Sequence, residues 1–390
     1  MRTGHRVCDV FIAGGGPAGL AAAIALRQRG AEVLVADALR PPIDKPCGEG
    51  LMPEARHPLA ALGIVLEAEH GIPFTGIAFV SEQDRVAAEF PGGPGLGIRR
   101  TVLHKLLYER AVALGVDFAW NTPVVLRENR APVLGGEPGG PEVQARWIVG
   151  ADGASSRVRG WAGMDRGRVR SRRFGFRAHY RLAPGSDSPR HVEVHWGVPG
   201  QAYVTPTSTR EICVSAMTRE AGIRLGGVLD GLPSLRERLT GTELISVERG
   251  CVTLTRRLRR VTRGNVALIG DASGSVDAIT GEGLALAFQQ ALLLEESLRA
   301  GNLALYESRH AKLLALPQRM ASLLLLLDRH PQLRARTLQV FASHPELFRG
   351  LLAVHVGEGS PADFVLRNGP LLVSRLLFAA RPPQPALISS

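Results

Sequence analysis

Three glycines in one short stretch are the first residues whose spacing could do chemistry. Gly14-Gly15-Gly16-Pro17-Ala18-Gly19 fits G-x-G-x-x-G. It follows an apolar run, Val7 to Ala13, that reads as a strand. It opens an alanine- and leucine-rich run, Pro17 to Arg29, that reads as a helix ended by Gly30. In such a turn Gly14 permits the tight exit from the strand, Gly16 leaves room for a pyrophosphate, and Gly19 lets helix and sheet pack closely. Pro17 and Ala18 complete the contact surface. The helix start offers free N–H groups and a positive dipole end to phosphates. Glu32 to Ala36 is a second apolar strand. Asp37 at its end can accept hydrogen bonds from ribose hydroxyls, or can simply cap the strand. In this order the elements predict a dinucleotide site.

The elements that must position this site follow from the same pattern. Strand, turn, helix and strand make a βαβ unit, which implies a parallel sheet with a right-handed crossover. Thr101 to Leu114 reads as a helix, Val116 to Trp120 as a strand, Glu128 to Pro141 as a surface hairpin, and Arg146 to Gly150 as a strand. From Phe174 the texture changes. Phe174–Leu182, His191–Trp196, Gln201–Thr205, Glu211–Met217 and Val247–Leu254 are short, turn-bounded and β-rich, and predict an antiparallel sheet. Ala221 to Leu239 reads as a helix beside it. Asn265 to Ile269 returns as a buried parallel strand. Helices run from Gly283 to about Ala380, broken at Pro317, Pro331, Pro345 and Pro361. The predicted fold is α/β: a Rossmann-like nucleotide domain from residues 1–170 and 255–300, an inserted β-rich substrate domain over 171–254, and a helical C-terminal region over 301–390.

Composition narrows the function classes. The chain has 390 residues with 45% hydrophobic content, enough for two domains. Its net charge is +11, almost all from arginine, since the only lysines are Lys45, Lys105 and Lys312. No recognition motif or basic stripe interleaved with aromatics accompanies that charge, so nucleic acid is not expected. The charge favours anionic cofactors and membrane surfaces, or reflects codon usage in a GC-rich genome. The four cysteines Cys8, Cys47, Cys213 and Cys251 form no C-x-x-C pair and no metal spacing with histidine, so neither a disulfide framework nor a metal is expected. The N-terminus carries no apolar signal region. The run Leu323 to Leu327 stops at Asp328, far short of the roughly 20 apolar residues of a bilayer span. A cytoplasmic location follows as the expectation, with peripheral membrane contact open.

Two further segments carry a resemblance. Gly150-Ala151-Asp152-Gly153-Ala154-Ser155-Ser156-Arg157 resembles the D-G-x-x-S-x-x-R segment of para-hydroxybenzoate hydroxylase-type flavoproteins, and Gly264 to Ala272, with its Gly270-Asp271, resembles their second FAD motif. The three motifs match in order across roughly residues 7–300. The resemblance implies FAD. It gives Asp271 a place on the ribityl chain and pyrophosphate, Asp152 and Gly153 a place in the cofactor site, and an arginine at the start of the next helix, Arg100 or its neighbour Arg99, a reach to the phosphates. From the residues alone, Asp152 can be a turn residue and Asp271 a helix cap. Gly281-Glu282-Gly283 precedes an apolar helix. N–H groups at its terminus can stabilise negative charge on a reduced flavin.

The reaction is read from two loops. Lys45-Pro46-Cys47-Gly48-Glu49-Gly50 is similar to the K-x-C-G-x-G loop of the geranylgeranyl reductase-like branch. Gly274 to Gly283 is similar to its G-x-V-D-P-x-T-G-E-G segment, with Ala278 in place of proline. That branch implies hydride transfer from flavin to a C=C bond of an isoprenoid-like substrate. Cys47 is then a candidate proton donor to the carbon opposite the hydride, or a small residue in a tight loop. Trp196, Tyr203 and Phe176 are candidates to line the substrate site or to fill the core. The alternatives are an NAD(P)H- and O2-dependent monooxygenase of an aromatic or polyketide substrate and a non-catalytic flavin-binding redox protein. Lys45 raises a halogenase, but the W-x-W-x-I-P signature of that group is absent. No second glycine motif serves NADPH or NADH. A groove for reduced nicotinamide, or direct donation by ferredoxin or another reductase, remains open.

Overall fold

The computed structural model describes residues 5–82, 84–127, 131–135 and 140–378. The first strand, His5–Ala13, is continuously apolar and buried from Val10 onward, as a strand covered on both faces must be. It pairs in parallel with Val33–Ala36 on one side and Glu142–Gly150 on the other. Asp117–Ala119 extends the sheet beyond the first neighbour and Val266–Leu268 beyond the second, both in parallel. The chain therefore leaves this sheet after Gly150 and returns more than a hundred residues later, with Thr262–Arg263 and then Val266–Leu268. The helix Pro17–Arg27 packs against Gly283–Arg299 and Arg100–Ala113. The fully buried Ala21, Ala22 and Ala23 let those helices approach.

The second sheet is mostly antiparallel. Gly167–Arg181 pairs with Arg249–Leu258 on one side and Glu211–Thr218 on the other. Gly200–Pro206 and His191–Trp196 follow. Gly76–Val80 then adds in parallel, and Arg85–Glu89 closes the edge. This hairpin from the N-terminal half was not read from sequence. Positions 171 and 254, where composition suggested boundaries, fall inside two of these strands, because Arg168 to Arg173 and Arg256 to Arg257 hide the strand pattern.

Three local readings change. The single helix expected over Ala221–Leu239 is two short ones, Leu225–Asp230 and Pro233–Arg238. Pro233 lacks the N–H that a continuing helix needs and starts a new one instead. The hairpin near Glu128 consists of Val124–Val125 and Val133–Leu134, with Val133 also paired to Glu142; residues 128–130 and 136–139 lie outside the described residues. Pro317 does not break the helical region. It sits in the first turn of Ala315–Arg329, where no N–H is required of it, and the preceding helix Leu303–Leu313 ends at Leu314. Pro331, Pro345 and Pro361 each start a helix: Pro331–Ser343, Pro345–His355 and Pro361–Phe378. Among the described residues no helix is long and apolar enough to cross a membrane.

A buried polar network holds the second sheet to the rest. Arg173, 1% accessible, donates to Asp277 Oδ1 and to Gln201 Oε1, each at 3.0 Å. Gln201 donates to Asp328 Oδ1 at 2.6 Å, and Thr255 to Asp277 Oδ2 at 2.9 Å. Sheet, flavin-motif loop and helix Ala315–Arg329 are thereby joined. Asp277→Ala leaves the Arg173 charge buried and uncompensated and should cost about 3–5 kcal/mol. Urea denaturation should show a lower midpoint at an unchanged slope. Adding Arg173→Met should recover part of the loss.

Candidate active site

The glycine turn has the geometry its residue types require. Gly14 has φ +114°, and a Cβ there would overlap the carbonyl of Ala151. A Cβ at Gly19 would overlap the carbonyl of Gly14. Gly16 differs: a Cβ there meets nothing within 4 Å, and no side chain caps the helix start. This open position, at a helix N-terminus whose N–H groups need acceptors, fits a phosphate. Gly15, which the motif leaves free, is fixed from three sides. Its N–H donates to Asp37 Oδ2 at 2.8 Å, its carbonyl faces His104 Nε2 at 2.9 Å, and the Trp120 ring fills the space a side chain would take. Burial lowers the His104 pKa, so the imidazole is neutral and donates from Nε2.

Several of the other predicted residues lie near one another: Lys45 stands close to Gly153, and Lys45 and Arg100 stand near Asp271. Asp37 also accepts from Leu39 N at 2.8 Å, which orients its carboxylate. Asp271 is exposed to solvent yet recessed among the surrounding walls. That setting raises its pKa by desolvation, while Arg100 and Lys45 nearby oppose the rise. Gly153, φ +81°, lies close to Lys45 Nζ. The two arginines part ways: Arg99 pairs with Glu211 at 3.7 Å, whereas Arg100 Nε has no protein partner. Asp152 Oδ2 accepts from Arg157 N at 2.7 Å and Val158 N at 3.1 Å, so it caps the helix Arg157–Trp161, and its Oδ1 is buried without a partner. Gly270, φ +59°, donates to Gln290 Oε1 at 2.7 Å and lies against Ala18. Gly281, φ +73°, and Gly283 face open space at the start of Gly283–Arg299. The open glycines, Asp271 and the unpaired Arg100 Nε fit the phosphates and hydroxyls of an anionic dinucleotide.

The Lys45–Gly50 loop lies between Gly153, the start of helix Arg100–Ala113 and the second sheet. Glu49 has a left-handed backbone, φ 58°, and a 2% accessible side chain. Its Oε1 accepts from Arg100 N at 2.9 Å and its Oε2 meets His179 Nε2 at 2.7 Å. His179 Nδ1 in turn meets Ser246 Oγ at 2.8 Å. Arg177 and Arg249 both pair with Asp44. Cys47 is half-buried, and its Sγ accepts from Glu49 N at 3.3 Å. Glu49, His179 and Cys213 bring potential ligand atoms within 4.8 Å of one another. The carboxylate and imidazole already satisfy each other, and the Cys213 thiol, held well above its ordinary pKa by burial, donates to Cys47 O. The cluster is a clamp.

Of the aromatic lining candidates, Trp196 packs on Phe79, Tyr203 donates to Gln201, and Phe176 joins the core around Ala178. They build the sheet's interior. The clamp residues Glu49, His179 and Asp44, and the turn supports His104 and Trp120, carry no sequence signal, because their partners lie far away along the chain.

Residues 7–222 match the family model of the FAD binding domain. The chain belongs to that family. It is 28% identical over 350 residues to the menaquinone reductase of Mycobacterium tuberculosis, covering 81% of this chain and 84% of that one. It is 29% identical to digeranylgeranylglycerophospholipid reductase 1 of Methanopyrus kandleri, covering 71% and 76%. It is 30% identical to a flavin-dependent monooxygenase of Mycobacteroides abscessus, covering 75% and 67%. A flavoprotein/dehydrogenase from Cytophaga hutchinsonii shares the fold at a TM-score of 0.80 and 18% identity, over 95% of this chain and 98% of that one. A geranylgeranyl bacteriochlorophyll reductase-like protein from Thermoplasma acidophilum does so at 0.68 and 19%, over 96% and 99%. The chain is an FAD-dependent oxidoreductase, and its resemblance to the hydroxylase-type flavoproteins and their reductase-like branch holds.

Gly16→Val fills the open position above the helix start. The purified variant should be colourless, with FAD content below about a tenth of wild type, while its circular dichroism is unchanged. Retained FAD would place the pyrophosphate elsewhere.

Proposed function

We propose that this chain uses FAD to saturate a C=C bond of a hydrophobic, isoprenoid-like small molecule. One observation supports the reading: Glu49 pins the Cys47 loop between the start of helix Arg100–Ala113, whose Arg100 would reach the cofactor, and His179 of the second sheet. Relatives named for menaquinone and for a digeranylgeranylglycerophospholipid support a lipid-like substrate class. Bound FAD, once reduced, would supply the two electrons together with one hydrogen, as a hydride. Gly16 and the helix start would hold the pyrophosphate, Asp37 the ribose, Arg100 and Asp271 the phosphate and ribityl region, and Gly281 to Gly283 the ring. Asp152 and Gly153 would shape the wall opposite Lys45. Cys47 would give the proton from Sγ. The N–H of Glu49, already directed at that sulfur, would stabilise the thiolate left behind.

Reduced nicotinamide or a ferredoxin-type protein would provide electrons. The monooxygenase reading draws on the relative in M. abscessus. Anaerobic turnover with dithionite or NADPH separates the two: product formed without O2 supports the reductase, and strict dependence on O2 supports the monooxygenase. Within the reductase reading, Cys47→Ala should slow single-turnover reduction about 100-fold or more at normal flavin content. An unchanged rate removes Cys47 from the chemistry.

The last described helix, Pro361–Phe378, supports contact with an anionic membrane surface. Val365, Leu366 and Val373 are exposed on it together with Arg367 and Arg375. Cosedimentation should be strong with phosphatidylglycerol vesicles and weak with phosphatidylcholine, and Leu366→Glu should weaken it about tenfold. Equal binding to both lipids, or none, rejects the contact.

A further inference from the structure

Glu282 has surroundings that a place beside the cofactor does not explain. It precedes helix Gly283–Arg299 yet caps no backbone N–H. Its side chain is 5% accessible and lines a cavity of about 140 Å³ together with Glu54, Gln289 and the apolar Ala285, Leu286 and Leu316. Glu282 Oε2 and both carboxyl oxygens of Glu54 are buried without a protein partner. So is His355 Nδ1, which stands 3.9 Å from Glu282 Oε2. His355 Nε2 faces the carbonyl of Thr280 at 3.1 Å, so Nε2 carries the proton and Nδ1 presents its lone pair to Glu282. Buried polar atoms in native proteins find partners. The cavity is lined mainly by apolar side chains, but it is large enough for water, and water held between Glu282, Glu54 and Gln289 would satisfy the carboxyl oxygens.

The titratable and polar groups around Glu282 come from three places. Glu54 projects from the Pro53–Ala55 turn, His355 from helix Pro345–His355, and Thr280 from the preceding loop. Helices Leu303–Leu313 and Ala315–Arg329 bring only Leu313, Leu316 and Pro317 to the cavity. Burial, with Glu54 adding to it, pushes Glu282 up to about 8. Burial also pushes Glu54 up to about 7, helped by the exposed Glu358. Burial lowers His355 to about 4, so it stays neutral.

We propose that Glu282, supported by Glu54 and His355, stores a proton for the flavin, taking it from solvent through this cavity when FAD is reduced and returning it on reoxidation. This rests on the reading that the ring lies at the start of helix Gly283–Arg299. Reduced nicotinamide or dithionite supplies two electrons, and one proton joins the flavin with them. Above about pH 8, where Glu282 begins as carboxylate, the negative charge that remains at this helix end draws a second proton onto Glu282 Oε2 and turns it into carboxylic acid; below that pH Glu282 already holds its proton. Reoxidation reverses both transfers. Glu282 thus acts as a positioning residue for a proton.

Redox-dye titration of the FAD-loaded protein, from about pH 7 to about pH 10, counts protons taken up per two electrons. Wild type should take up one proton at neutral pH and approach two above about pH 8, where Glu282 begins as carboxylate. Glu282→Gln should take up one throughout. Glu54→Gln removes a neighbouring negative charge, so the rise toward two should begin at lower pH. A constant single proton in wild type, or identical curves for wild type and Glu282→Gln, overturns the proposal. If Glu282→Gln holds no FAD, the Glu54→Gln shift decides, and its absence overturns the proposal. Failure of the underlying reading looks different: Gly283→Val would retain full FAD at an unchanged potential, placing the ring elsewhere and removing the basis for the store.

Discussion

The carboxylate of Glu49 is the interaction on which the arrangement depends. It accepts the first N–H of helix Arg100–Ala113 with one oxygen and meets His179 of the second sheet with the other. A buried carboxylate that keeps its charge costs several kcal/mol unless it is paired, and Glu49 is paired through both oxygens. The left-handed backbone of Glu49 adds strain of about 1–3 kcal/mol. Such strain persists only where the surroundings over-determine the residue. Here the consequence is functional. The helix start is fixed at Arg100, whose Nε is left without a protein partner, while Arg99 pairs with Glu211. Cys47 is held by a backbone N–H two residues on.

The nucleotide half was legible because its signals are local. A glycine turn, a helix start and an acid at the next strand end lie within one βαβ unit, so their spacing is written in consecutive residues. The register bears this out: Ala13, the residue before the turn, aligns with Ala36, the residue before Asp37, and with Gly150, two residues before Asp152. The cap alternative for Asp152 also has substance, since its Oδ2 is spent on the helix Arg157–Trp161.

The sheet half was less legible because its signals are distant. The hairpin Gly76–Glu89 joins a strand more than a hundred residues away. The strand Gly167–Arg181 carries so many arginines that alternation is masked, and one of them, Arg173, is buried against Asp277. No periodicity argument predicts a buried arginine; only the partner explains it. The same holds for Glu54 and His355. Each reads as an ordinary surface residue type, and packing alone assembles them around Glu282.

The account's central claim is that Glu49 places Cys47 for the second half of the reaction and leaves cofactor binding to the glycine groove. The direct measurement is stopped-flow comparison of Glu49→Gln with wild type, each loaded with FAD, following flavin reduction and then anaerobic reoxidation by an isoprenoid substrate. The account predicts flavin reduction within about twofold of wild type and substrate-driven reoxidation slowed about 100-fold, as for loss of a proton donor. Equal reoxidation rates, or equal losses in both half-reactions, would contradict it.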